Sequence, residues 1–244
     1  MRCWIDTDVG DDPDDLVALA CAAAHPGLDV AGVSTVGRDA GDAARRAGLA
    51  RAVLPAVPVV AGPPPPDRVA AADALVLIGP WTHGAALAAA GALPGRVAAM
   101  GGAFGPVHHR GAVVEVEHNV GADPPSASAL VRAAAGVDLL VVPLDVTASL
   151  RCSDAEEAAL TARVPGLRDA LDRWRSRRGP VPFVLHDPAA LLACAGEPCV
   201  WAEPAMVVVD AAGRMRRDPS GSPVRVVVGA DRDRLVARVR ALVG

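Results

Sequence analysis

Residues Ile5–Ala20 read IDTDVGDDPDDLVALA. The apolar run Arg2–Ile5 leading into this stretch predicts a strand, and the periodic residues after it predict a helix over Asp14–Ala24. Six of the chain's 22 aspartates crowd the turn between them: Asp6, Asp8, Asp11, Asp12, Asp14 and Asp15. So many like charges at this spacing repel one another, and a bound cation relieves the repulsion. Oxygen ligands on a Gly-containing loop suit Ca²⁺ or Mg²⁺ better than zinc or copper. The plainer alternative is a solvated acidic loop in which Asp14 and Asp15 favour the helix N-terminus.

Outward from this turn, short apolar runs alternate with longer Ala-rich segments of helical period. Strands are expected at Leu28–Val36, Val57–Ala61, Ala74–Ile78, Arg96–Met100 and Leu139–Pro143. Helices are expected at Ala40–Val53, Thr82–Ala90, Asp123–Ala135 and His186–Ala195, with Ser153–Arg178 helical but broken near Pro165. Met206–Val209 and Val224–Val228 read as a closing strand pair, followed by a helix from Arg232. This alternation predicts an α/β fold with an open, mostly parallel sheet and helices on both faces. Residues 1–244 are expected to form one domain, since the Pro63–Pro66 run reads as a stiff surface connection. Ligands of such sheets sit at the carboxyl ends of the strands, where this chain concentrates its Asp, Gly, Thr and His.

Composition narrows the function classes. The 244-residue chain is 52% hydrophobic, enough to bury a sizeable core. A net charge of −4 argues against a nucleic-acid polymer as partner, but not against a small nucleotide-like ligand. All 24 basic residues other than His are Arg, so no mechanism requiring Lys is available. The five scattered cysteines fit reduced thiols of a cytoplasmic protein better than disulfides or a zinc site. The opening MRCWIDTD is acidic where a signal peptide needs apolar residues. No apolar run approaches the ~20 residues of a membrane span.

The acidic turn resembles the opening motif of the inosine-uridine nucleoside hydrolase family, an Asp-x-Asp-x-Gly loop followed by Asp-Asp before a helix. Further stretches resemble that family in order: GVSTVGRD (32–39), LIGPWTHGA (77–85), MGGAFG (100–105), VEHNVGADP (116–124), PLDVT (143–147) and VLHDPAALL (184–192). An Asp-x-Asp after a strand also resembles the haloacid dehalogenase phosphatases, which normally use a Lys that this chain lacks.

The resemblance implies hydrolysis of the N-glycosidic bond of a ribonucleoside, releasing free base and ribose. A cation makes bound water more acidic, and Asp8 is placed to ligate the cation and to take that water's proton. Asp15 and Asp187 are expected to complete a Ca²⁺ shell, and the resemblance adds the backbone carbonyl of Ile78. It also implies ribose contacts from Asp14, Glu117 and Asn119, with Asp187 near the substrate, and a role for His186 in departure of the base. Asp6 is expected to order the loop and His83 to be structural. The plainer reading of Glu117 and Asn119 is a polar turn, and that of His186 is a helix cap. The resemblance further implies a homodimer or homotetramer.

The chain is shorter than that pattern between Gly62 and Ala74 and between Arg178 and His186, segments expected to close over the base. Arg38, Arg110, His108 and His109 are candidates for a positive pocket that would take a 5′-phosphorylated or modified nucleoside, the alternative being ordinary surface residues. The run Arg173–Arg178 suits a helix C-terminus, or contact with a partner or phosphate. A non-catalytic nucleoside-binding relative and a dehalogenase-type phosphatase are the competing functions.

Overall fold

A computed structural model describes residues 1–244. In chain order the first half contains β1 (Arg2–Thr7), α1 (Asp14–Ala24), β2 (Asp29–Thr35), α2 (Ala40–Val53), β3 (Val59–Ala61), α3 (Pro66–Ala70), β4 (Ala74–Leu77), α4 (Thr82–Ala89) and β5 (Arg96–Met100). The hairpin β6 (Val107–His109) and β7 (Ala112–Val114) follows, then α5 (His118–Ala122), α6 (Pro124–Ala133), β8 (Asp138–Val142) and α7 (Leu144–Thr147). The chain closes with α8 (Asp154–Thr161), α9 (Leu167–Arg178), α10 (His186–Cys194), β9 (Val200–Val209), β10 (Met215–Arg217), β11 (Ser222–Ala230) and α11 (Arg232–Val243).

Nine strands form one sheet in the order β10-β9-β11-β8-β5-β4-β1-β2-β3. The pairs from β3 through to β11 are parallel, and β9 alone runs against the rest, pairing antiparallel with both β11 and β10. Period-2 alternation sends the apolar side chains to opposite faces. Cys3, Ile5, Val76, Ala98 and Leu140 pack with α1, α9, α10 and α11. Trp4, Leu75, Leu77, Val97, Ala99, Leu139 and Val141 pack with α4 and α6 on the other face. Burial on both sides explains why the central strands are continuous apolar runs.

The strand order reverses at β1: β2 and β3 lie to one side, β4 and β5 to the other. Such a switch point leaves a crevice outside the carboxyl ends of the strands. The acidic turn after β1 and Ile78 after β4 meet there. Their approach is close enough that a Cβ on Gly79 would lie 2.8 Å from the backbone nitrogen of Asp8. The expected closing strand pair is longer than its apolar cores, because β9 continues through Glu203 and Pro204 at the exposed end of the sheet. The link after Gly62 holds the short helix α3.

Candidate active site

A cavity of about 670 Å³ opens at this crevice. Its walls include Asp8, Asp14, Asp15, Ile78, Glu117, Asn119, His186 and Asp187, so all eight sequence-predicted site residues are brought to one place. Asp14 and Asp15 arrive on the first turn of α1, and His186 and Asp187 on the first turn of α10. These two helices pack against one another on the same face of the sheet.

Asp14, Asp15 and Asp187 are buried, and each offers a carboxylate oxygen within 4.8 Å of the others. Asp14 Oδ2 accepts the backbone N–H of His186 at 3.0 Å and of Asp187 at 3.1 Å, so it caps α10 from a distant part of the chain. Thr7 Oγ1 donates to Asp15 Oδ1 at 2.5 Å. Burial, then the neighbouring carboxylates, raises Asp15 and Asp187 well above the usual range. Burial pushes Asp14 to about 7, with the charge of Asp12 adding to the rise.

Asp8 stands apart from that trio. Its Oδ2 is 3.5 Å from Nη1 of Arg46, a side chain only 3% exposed. Burial raises Asp8 to about 6 even though the Arg46 charge opposes it. Arg46 also reaches Asp11 at 2.5 Å and Asp42 at 3.2 Å, and so ties the acidic turn to α2. Sequence reading missed Arg46, which looks like any other Arg on an Arg-rich helix. Asp12 is turned elsewhere: Trp174 Nε1 donates to it at 2.5 Å and Arg110 at 2.8 Å. Burial raises its pKa, but the charge and hydrogen bond of Arg110 outweigh this and the net shift is downward.

The opposite wall is built by α5. Glu117 is its N-cap, accepting from the backbone N–H of Asn119 at 2.9 Å, of Val120 at 3.2 Å and of Gly102 at 3.0 Å. Gly102 has φ +84°, which suits glycine. Asn119 Nδ2 donates to the carbonyl of Met100 at 3.2 Å, leaving its amide oxygen for a ligand. The polar-turn reading of Glu117 therefore describes its fold role while its position is on the cavity.

Asp6 does not face the cavity. It accepts from Ser34 and shares a 2.9 Å hydrogen bond with His83 Nδ1, so both are structural supports under the turn. Burial lowers His83, but the hydrogen bond and charge of Asp6 bring its net shift upward. Of the four residues considered for a positive pocket, Arg38, His109 and Arg110 line the cavity and His108 does not. His108 is exposed, Arg38 is paired with Asp42, Arg110 is paired with Asp12, and His109 is buried beside His186. The Arg173–Arg178 run does end α9, and its last two residues, Arg177 and Arg178, line the cavity.

The sequence model of the family described as inosine-uridine preferring nucleoside hydrolase matches residues 69–237. That range excludes the acidic turn, which the fold carries to the matched part. A plant nucleoside hydrolase structure superposes with a TM-score of 0.82 at 20% identity, covering 99% of this chain and 98% of that one. The purine-preferring ribonucleoside hydrolase of Gardnerella vaginalis gives 0.76 at 20% identity, covering 100% and 99%. The inosine-uridine preferring nucleoside hydrolase of Bacillus anthracis gives 0.73 at 17% identity, covering 99% and 98%. At these identities the structures establish the shared fold. No curated protein matches the chain.

Proposed function

Because the chain belongs to the inosine-uridine preferring nucleoside hydrolase family, we propose that residues 1–244 act as one domain that hydrolyses the N-glycosidic bond of a ribonucleoside, releasing free base and ribose. The observation that carries this reading is the meeting of Asp14 and Asp15 with Asp187 on one cavity, beside His186. The five free cysteines suit a cytoplasmic setting. No helix is long and apolar enough to cross a membrane.

The donor set fits a hard divalent cation. It consists of carboxylates, buried and mutually repelling, with Ile78 lining the same cavity and no backbone N–H bonded to its carbonyl. We assign Ca²⁺ to Asp15 and Asp187 of the buried trio, with Asp8 and the carbonyl of Ile78 joining them from the same cavity. When bound, such an ion makes water acidic enough to lose a proton near neutral pH.

The chain's own groups supply the remainder. Asp8 accepts the proton of the attacking water, and the Arg46 guanidinium lies 3.5 Å from its carboxylate. Asp14 has one oxygen fixed by the α10 backbone and uses the other for a ribose hydroxyl. Glu117 and Asn119 bind further hydroxyls from the α5 side, and several buried acceptors there favour the positive charge that develops on the sugar. His186 is held by a 2.8 Å hydrogen bond between Nδ1 and Thr147 Oγ1, which leaves its other ring nitrogen for the departing base. Burial, then the charges of Arg110 and His109, pushes His186 well below its ordinary pKa, so it acts as a neutral hydrogen-bond donor.

A second reading, a 5′-phosphorylated or otherwise modified nucleoside, is favoured by Arg38, Arg177 and Arg178 on the same cavity. The test is release of free base from purine and pyrimidine nucleosides and their 5′-monophosphates with added Ca²⁺. The reading predicts base release from a nucleoside. Release of inorganic phosphate, or nucleoside binding without base release, contradicts it.

A further inference from the structure

The β6–β7 hairpin has no assigned part in this chemistry, yet it places one side chain deep in the cavity. His109 is 9% exposed and lines the same cavity as the carboxylate cluster. Its ring centroid is 5.0 Å from that of His186, at an interplanar angle of 75°. Nδ1 of His109 is enclosed without a hydrogen-bond partner, and Nε2 is the ring nitrogen that is not enclosed.

We propose that His109 is a base-recognition residue, donating its Nε2–H to an acceptor on the leaving nucleobase beside His186. The inference rests on the nucleoside hydrolase reading above and adds the group that contacts the base.

The choice of ring nitrogen follows from the cost of burial. An enclosed N–H without an acceptor is less tolerable than an enclosed lone pair. The ring proton is therefore placed on Nε2. Burial, with the charge of Arg110 next, lowers His109 to about 4, so at neutral pH it offers one N–H and no net charge. A neutral donor suits a carbonyl oxygen or ring nitrogen of an uncharged heteroaromatic base.

The ring is also held in place. The two residues after His109 make a tight turn, Arg110 at φ 52° and Gly111 at φ 80°. Arg110 pairs with Asp12 at 2.8 Å, and its guanidinium lies 4.7 Å from the ring centroid of Trp174. The hairpin is thereby fastened to the acidic turn and to α9.

The experiment compares wild type, His109→Phe and His109→Asn on a natural nucleoside and on 4-nitrophenyl β-D-ribofuranoside, whose leaving group has no base edge. His109→Phe keeps the ring volume, and His109→Asn keeps an N–H donor. Expected is a loss in kcat/KM of about 10–100-fold for the nucleoside with His109→Phe, the scale of one lost hydrogen bond to a group gaining charge. The riboside should lose less than about threefold, and Asn should recover part of the nucleoside rate. Equal losses on both substrates, or no loss on the nucleoside, overturn the role of His109. A wild type that cleaves neither substrate overturns the hydrolase reading itself.

Discussion

Asp14 Oδ2 accepts the backbone N–H groups of both His186 and Asp187, residues 172 and 173 positions away in the chain. The first turn of α1 and the first turn of α10 are thus locked together by one carboxylate. Two separate acidic segments become one site, and the cluster exists only when α1 and α10 are packed together.

Substitution of Asp8 separates chemistry from folding. Asp8→Ala removes the proposed proton acceptor while leaving Arg46 its contacts with Asp11 and Asp42. We expect turnover to fall by about 10²–10⁴-fold, the usual contribution of a positioned base. The melting temperature should move by only a few degrees. Steady-state kinetics and calorimetry on the same preparation check both halves.

Arg46 has the opposite signature. It is a buried cation facing Asp8, Asp11 and Asp42, and removal of one partner from such a group leaves uncompensated charge. Arg46→Met should cost about 3 kcal/mol of stability by denaturant unfolding, with Asp11→Asn in the same chain recovering part of it. An unchanged unfolding midpoint would show that the acidic turn does not depend on α2.

Calcium should stabilise as well as activate. A cation that binds only the folded chain adds about 2.7 kcal/mol at a hundred times its Kd. For a chain of this length that is a rise of roughly 5–10 °C in Tm. Chelation should reverse the rise and depress base release together, as followed by thermal melts and a base-release assay.

The pH dependence of stability carries a trace of His109. Its pKa is about 4 in the folded chain, against an ordinary value of 6.5, because of burial and the charges of Arg110, Arg151 and Arg178, opposed by Asp12. The unfolded chain therefore binds more protons between pH 6.5 and 4, and stability falls as pH drops through that window. His109→Phe should flatten this part of the Tm profile relative to wild type. Parallel profiles for the two proteins would contradict the assignment.

The sequence was informative where local pattern and tertiary role coincide. The apolar run of β1, the Asp14 start of α1 and the Asp-Pro opening of α6 were legible for that reason, and so were the carboxylates that follow strands. The β6–β7 hairpin was not, because strands of three residues carry no measurable alternation. Helix α5 escaped because its N-cap is Glu117 and its five residues include Gly121, neither a usual helix signal. Arg46 escaped because its burial depends on α2 meeting a loop 35 residues earlier, which no local pattern records. The buried His109 likewise looks the same in sequence as its exposed neighbour His108.

The most direct measurement is a calorimetric titration of Ca²⁺ into the wild-type chain and into Asp15→Asn and Asp187→Asn. Carboxylates from both ends of the chain holding one ion predict a single site in wild type, with affinity collapsing in either variant. Wild-type affinity retained in Asp187→Asn, or no binding to the unaltered chain, would contradict the account.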